Sequence, residues 1–130
     1  MGNITSSNFN NLSIINFDKM LDFIDSNCII INTLNENLQS CLIYNTIHSS
    51  NEVQLLNKYL TSDLYIEIII YGKNSSDLSV FNKYKQLQSL GFKNIYIYMG
   101  GIFEWLLLQD IFGKEKFKTT SNELDILKFK

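Results

Sequence analysis

The residues with the clearest chemical potential form a six-residue loop that follows the apolar run at 68–70 and precedes a segment with helical spacing. The loop consists of Gly72, Lys73, Asn74, Ser75, Ser76 and Asp77. A junction from strand to helix leaves backbone N–H groups without partners, so this loop could cradle a small anion with help from Lys73. Alternatively, the loop is capped from within, because Ser75, Ser76 and Asp77 are all preferred helix N-caps. The carboxylate of Asp77 favours internal capping.

Three other side chains could take part in catalysis, but none has an evident partner in the sequence. Cys41 is the cysteine near a loop that could face a site, although a free cysteine at the start of a strand is more often simply buried. Cys28 heads a longer apolar run, and His48 has no serine or cysteine motif around it. No His/Cys cluster and no paired carboxylates occur, so we expect neither a metal nor a cofactor.

Composition narrows the classes of function. The 130 residues are 45% hydrophobic, which suits one compact domain, and the net charge of -2 gives no broad basic footprint for nucleic acid. All eleven basic residues are lysines, so the bidentate grip of arginine on phosphate or carboxylate is absent. No apolar run reaches the roughly 18–20 residues of a membrane span, and no signal peptide is evident. We therefore expect a cytoplasmic protein with reduced thiols.

Alternating periodicities predict the elements that must position the loop. We expect a loose lead-in at residues 1–11 and one α/β domain at residues 12–130, whose polar C-terminal segment packs back onto the domain. Asp18 is the expected N-cap of the first helix. The predicted strands lie within 12–17, 28–33, 42–44, 65–71 and 91–98, and the predicted helices begin near 18, 49, 78 and 102.

The second half of the chain resembles a rhodanese-like domain. A helix ends at the Leu-Gly-Phe motif of residues 90–92, a strand follows, and a glycine pair at 100–101 precedes Trp105 on the last helix. The resemblance covers roughly residues 12–112. It implies a single domain with a central, mainly parallel five-stranded sheet and helices on both faces. The block around Trp105 also resembles divergent members from protists or large DNA viruses, so a virion is a further possible location.

The resemblance implies that the key residue of the loop is missing. Active members carry a sulfane sulfur on a cysteine at the first loop position, which is Gly72 here, and often place a basic residue where Asp77 stands. Related phosphatases with a Cys-x5-Arg loop would need an arginine at Leu78. The acid and arginine of the family's first-strand signature correspond to Asn32 and Leu34. We therefore expect a catalytically inactive member of the family.

The last helix is more apolar than packing on one sheet face requires. Ile102, Trp105, Leu106 and Gln109 share the face expected to be buried. The remaining apolar side chains are Phe103, Leu107, Leu108, Ile111 and Phe112. Either the C-terminal segment covers them or they form a surface for a protein partner or for self-association.

Three hypotheses of function follow from these features. The leading one is an inactive rhodanese-like domain that acts as a protein-interaction or structural module. The second is a sulfurtransferase or phosphatase-like enzyme that uses Cys41. The third is a domain that binds a small anion through the loop at residues 72–77.

Overall fold

The computed structural model of the protein describes residues 12–130, so the predicted lead-in at residues 1–11 lies outside the described part. Within that part the strands are β1 (Ser13–Ile15), β2 (Ile29–Asn32), β3 (Thr46–Ile47), β4 (Glu67–Tyr71) and β5 (Asn94–Tyr98). The helices are α1 (Phe17–Phe23), α2 (Glu52–Leu60), α3 (Ser79–Leu90) and α4 (Gly101–Phe112). The five strands form one sheet in the order β1-β5-β4-β2-β3, and all neighbouring pairs are parallel. The predicted fold class is confirmed.

The sheet separates two hydrophobic cores, and this explains why its central strands are apolar on both faces. Ile30 and Ile69 point into a core that contains side chains of α1 and α4. Their neighbours Ile31 and Ile70 point into the opposite core, which contains side chains of α2 and α3. Strand side chains alternate between faces, so a run of isoleucines supplies both cores at once.

The prediction for the third strand was wrong in position. We expected a strand at 42–44, but the strand that pairs with β2 is Thr46–Ile47. Ile43 instead forms an isolated antiparallel bridge with Thr119 in the C-terminal segment. Ile43 therefore finds its partner far along the chain, the chain turns at Tyr44 and Asn45, and the parallel pairing begins only beyond Asn45, which has a positive φ of 71°.

Two helix starts also differ from the prediction. The N-cap of α1 is Asn16, whose side chain accepts a hydrogen bond from the Lys19 amide, while Asp18 lies in the first turn. Asp18 still suits the positive end of the helix dipole there. Before α2, a 3-10 turn at Ser49–Asn51 is capped by the imidazole of His48, which accepts from the Ser50 amide. His48 thus has a capping role and is exposed.

The segment after α4 runs along that helix and ends in a 3-10 turn at Ile126–Phe129. Phe117 and Phe129 are both buried in the core beneath α4. The Phe117 ring lies 5.0 Å from the Trp105 ring, centroid to centroid, in an edge-on arrangement. Across residues 12–130, no helix combines the length and the apolar character that crossing a membrane requires.

Candidate functional site

The predicted loop lies at the point where the sheet topology changes direction. From β2 the chain continues to the edge strand β3, whereas from β4 it continues to β5 on the other side. The crevice beyond the carboxyl ends of β2 and β4 is the usual ligand site in such sheets. An open cleft of about 450 Å³ occupies it, lined by Thr33, Leu34, Asn35, Leu38, Lys73, Asn74, Ser76, Asp77 and Ser79.

The loop is filled from within by its own last residue. Asp77 Oδ2 accepts a hydrogen bond of 2.8 Å from the Lys73 amide. Asp77 Oδ1 accepts from the Ser79 amide at 3.1 Å and from the Ser79 hydroxyl at 2.6 Å. The same hydroxyl lies 2.8 Å from Thr33 Oγ1, which ties the loop to the end of β2. Asp77 thus fills the loop from within, as expected, but the N-cap of α3 is Leu78, which makes no side-chain capping hydrogen bond, so the predicted N-cap role of Ser75, Ser76 or Asp77 was wrong.

These contacts keep the Asp77 carboxylate charged. Burial alone would raise the pKa of Asp77, but hydrogen bonds from the Ser79 side chain and from the Lys73 and Ser79 amides outweigh it. The nearby ammonium of Lys73 acts in the same direction, and the net effect is a lowered pKa. At neutral pH the loop therefore already holds an anion that belongs to the chain itself.

Gly72 has no free space for a side chain. A Cβ atom at this position would lie 2.5 Å from Asp77 Oδ2 and 2.9 Å from Thr33 Oγ1. Both distances are shorter than van der Waals contact, so any side chain at 72 requires Asp77 and Thr33 to move. The glycine and the inward-pointing carboxylate are therefore structurally linked.

The start of α4 closes the loop from the other side. The Ile102 and Phe103 amides donate hydrogen bonds of 3.0 Å each to the carbonyls of Gly72 and Lys73. This approach requires a glycine at position 101, where φ is 68° and a Cβ would lie 2.6 Å from the Gly72 carbonyl oxygen. The glycine pair of the sequence motif thus brings the helix directly onto the loop.

Neither cysteine lies among the described residues that line the cleft. Cys41 is 2% exposed, and its thiol contacts the Ser121 carbonyl at 3.3 Å. Burial raises the pKa of the Cys41 thiol, and hydrogen bonds with Ser121 and Thr119 offset only part of this effect. Burial likewise raises the pKa of Cys28. Both thiols are therefore neutral at neutral pH and poor nucleophiles.

A buried pair of amides that the sequence analysis missed supports the wall of the cleft. Asn32 donates to Gln39 Oε1 at 3.0 Å, and Gln39 donates back to Asn32 Oδ1 at 2.7 Å. Gln39 also donates to the Leu34 carbonyl at 3.1 Å, which holds the chain after β2 in place. The signal was a polar residue at the end of an apolar buried strand, because such a group requires a partner.

The predicted interaction surface on α4 is only partly covered. Ile111 is 70% exposed and Phe112 is 59% exposed, and Leu107 is also exposed. Phe103 and Leu108 are half-buried against the core beneath the helix. The four residues expected to face the sheet, Ile102, Trp105, Leu106 and Gln109, are all buried. The C-terminal segment therefore covers Gln109 and places the Phe117 ring 6.1 Å from the Phe112 ring, centroid to centroid, but leaves Leu107, Ile111 and much of Phe112 exposed at the end of α4.

Comparison with known proteins identifies the family. A family model described as "Rhodanese-like domain" matches residues 30–108. The chain belongs to the rhodanese-like domain family. This rhodanese-like domain is also similar in structure to the Alr3790 protein from Anabaena sp., with a TM-score of 0.58 and 14% sequence identity. The match covers 88% of this chain and 86% of the cyanobacterial one, and at this identity it concerns the fold alone.

No curated protein matches the sequence. Among the described residues of the domain, no group of three or more His, Cys, Asp or Glu side chains could hold a metal ion.

Proposed function

We propose that this rhodanese-like domain performs no sulfur transfer and acts as a protein-interaction or structural module. The absence of sulfur transfer is inferred from one observation: the Asp77 carboxylate occupies the space that a side chain at position 72 would need. A sulfur carrier in this loop needs a thiolate that the loop amides stabilise. Here Gly72 supplies no thiol, and the amide of Lys73 donates to Asp77 instead.

The same carboxylate weighs against the two alternatives. Thiosulfate, persulfide and phosphate are anions, and a charged Asp77 repels them from the loop. An enzyme that uses Cys41 would need a thiolate, whereas that thiol is buried and its pKa is raised. Both arguments favour a domain whose cleft supports neither sulfur transfer nor phosphatase-like catalysis.

The open end of α4 supports the interaction half of the proposal. Leu107 and Ile111 are one helical turn apart, so they share a face, and Phe112 follows directly. Large exposed apolar side chains that lie close together are typical of binding surfaces rather than of free protein surface.

The activity is tested with a thiosulfate-to-cyanide sulfur-transfer assay and intact-mass detection of persulfide, on wild type and on Cys41→Ser. We expect no turnover and no persulfide from either protein. Turnover that disappears in Cys41→Ser would contradict the proposal and identify Cys41 as a nucleophile.

The interaction is tested with two matched substitutions. Ile111→Ser changes the open end of α4, and Val53→Ser changes a residue of similar exposure, 69%, on α2 at the opposite face of the sheet. We expect that self-association in sedimentation velocity, or a partner crosslinked in cells, is lost with Ile111→Ser and retained with Val53→Ser. Equal effects of both substitutions, or no association of the wild type, would refute a specific surface on α4.

A further inference from the structure

The C-terminal segment is attached to the domain at two separate anchors, and the first is tied mainly through the backbone. The carbonyl of Lys118 accepts hydrogen bonds of 3.0 Å from the Tyr44 amide and from Trp105 Nε1. The Gln109 side chain donates to the Phe117 carbonyl at 2.7 Å. With Phe117 fully buried, this anchor is part of the folded domain.

The second anchor consists of one fully buried side chain, Phe129, and one half-buried side chain, Ile126, both packed on the same core. Phe129 is 1% exposed and lies in the core beneath α4, and its carbonyl accepts a hydrogen bond of 2.9 Å from Asn74 Nδ2. Leu124 and Leu127 of the same segment are exposed, and the ion pair of Lys128 with Glu123 joins two residues of the segment itself. Residues 123–130 can therefore detach without disturbing the first anchor.

Detachment would open an apolar pocket of aromatic size directly beside the loop. Asn74, whose amide binds the Phe129 carbonyl, also lines the cleft and accepts from the Ser76 amide. The pocket therefore recognises a side chain and a backbone carbonyl together. The anchor lies outside the stretch matched by the family model, residues 30–108.

We propose that the Phe129 pocket is a docking site for a short segment of a partner protein that adopts a 3-10 turn, and that residues 126–129 occupy it in cis when no partner is bound. The bound segment would resemble the cis occupant: an aromatic residue for the pocket, with its carbonyl on Asn74. This inference rests on the proposed function as an interaction module and names its partner class. Minor states of such two-state elements are commonly populated at about 0.1–10%, which leaves a competing segment access to the pocket.

The test uses the full-length chain and a fluorescein-labelled peptide with the sequence of residues 122–130. Phe129→Ala empties the pocket, whereas Leu127→Ala removes an exposed side chain, 68% accessible, from the same turn and serves as the matched control. We expect the peptide to bind Phe129→Ala at least about tenfold more tightly than wild type or Leu127→Ala in fluorescence anisotropy. Adding Asn74→Ala should weaken that binding about fivefold, the equivalent of one lost hydrogen bond.

A folded Phe129→Ala protein that does not bind the peptide would overturn the proposal. Hydrogen exchange on the wild type covers the case in which Phe129→Ala does not fold. We expect the Lys128 and Lys130 amides to exchange at least about a hundredfold faster than the Ile69 amide in β4, because the anchor opens locally. Equal protection would show that the anchor opens only with the whole domain, and would also overturn the proposal.

Two further outcomes distinguish this docking site from a segment exchange between two copies of the chain and from the exposed surface on α4. A wild-type dimer that exchanges residues 126–129 between copies would assign the pocket to a second copy and exclude a separate partner. Peptide binding should be unchanged by Ile111→Ser, so a failure of the α4 surface and a failure of the Phe129 pocket are distinguishable.

Discussion

The strongest prediction is that a side chain at position 72 and the carboxylate at position 77 cannot occupy the same space. In Gly72→Cys the new Cβ would lie 2.5 Å from Asp77 Oδ2 and 2.9 Å from Asp77 Cγ. The carboxylate can retreat, because it is the end of a flexible side chain, but it then gives up one or two of its hydrogen bonds to Lys73 and Ser79. A hydrogen bond to a charged group contributes about 1.5–3 kcal/mol.

We therefore expect Gly72→Cys to lower the free energy of unfolding by about 2–4 kcal/mol, with some of the loss returned by water because Asp77 is partly exposed. Asp77→Ala alone should cost about 1–3 kcal/mol, since it leaves the loop amides without their acceptor. In the double variant the clash with the carboxylate is gone and only the contact with Thr33 Oγ1 has to relax, so its loss should be smaller than the sum of the two by at least about 1 kcal/mol. Urea denaturation of the four proteins measures this coupling.

The double variant also tests the chemistry of the loop. Its thiol would lie where the amides of Lys73 and Ser79 point, and such donors lower the pKa of a thiol. We expect the new thiolate of Gly72→Cys/Asp77→Ala to attack the outer sulfur of thiosulfate, form a persulfide and release sulfite, so that intact mass shows one added sulfur atom, and we expect Gly72→Ala/Asp77→Ala to stay unmodified. Strictly additive stabilities, or a Gly72→Cys protein as stable as the wild type, would refute the claim that Asp77 fills this space.

Four other predictions follow from the structure. Gly101→Ala should lower the free energy of unfolding by at least about 3 kcal/mol, because the new Cβ would lie 2.6 Å from the Gly72 carbonyl oxygen. The control Gly113→Ala is also at positive φ but has open space around it, so it should cost about 1 kcal/mol. Thermal or urea denaturation measures both. The pKa of Asp77 is lowered on folding, so its stabilising contribution is present above the unfolded pKa of about 3.9 and is lost as the pH falls through the folded pKa. The difference in unfolding free energy between wild type and Asp77→Asn should therefore shrink between pH 7 and pH 3. A constant difference would contradict the assigned contacts. The Cys41 thiol should react with a disulfide reagent at least about tenfold more slowly in the folded than in the urea-unfolded protein, as followed by absorbance. Gln39→Leu should cost about 1–3 kcal/mol in urea denaturation by leaving the buried amide of its partner unsatisfied, and a neutral result would show that water replaces the pair.

The parts of the fold that local patterns specify could be predicted from the sequence. The isoleucine run at 68–70 indicated the buried strand β4, and Gly91, with φ of 108°, ends α3 in the left-handed conformation that its position predicted. The error at 42–44 has a different origin. That segment contains only an isolated bridge at Ile43 and turns at Tyr44; its partner is Thr119, and local propensity carries no information about so distant a partner.

The candidate site likewise has features that local sequence predicts and features that depend on contacts made only in the folded protein. Local preferences predicted that a polar side chain of the loop would bond to its backbone, and Asp77 does so, although the N-cap of α3 is Leu78. That its carboxylate enters the volume of a side chain at Gly72 depends on how closely the two ends of the loop approach each other in three dimensions. The partner of Asn32 was missed for a similar reason, because Gln39 stands in a polar stretch in which its burial has no periodic signature.

The pairing of the 41–44 segment with the C-terminal segment also sets an order of events during folding. The Leu42 amide donates to the Thr120 hydroxyl 78 residues further along the chain, and Cys41 is covered by the Ser121 carbonyl. Contacts of such long sequence separation form late, because the loop they close is entropically costly. On the ribosome, the cysteine therefore emerges about 80 residues before the residues that shield it, and its thiol stays open to oxidants and chaperones until Thr120 and Ser121 have also emerged.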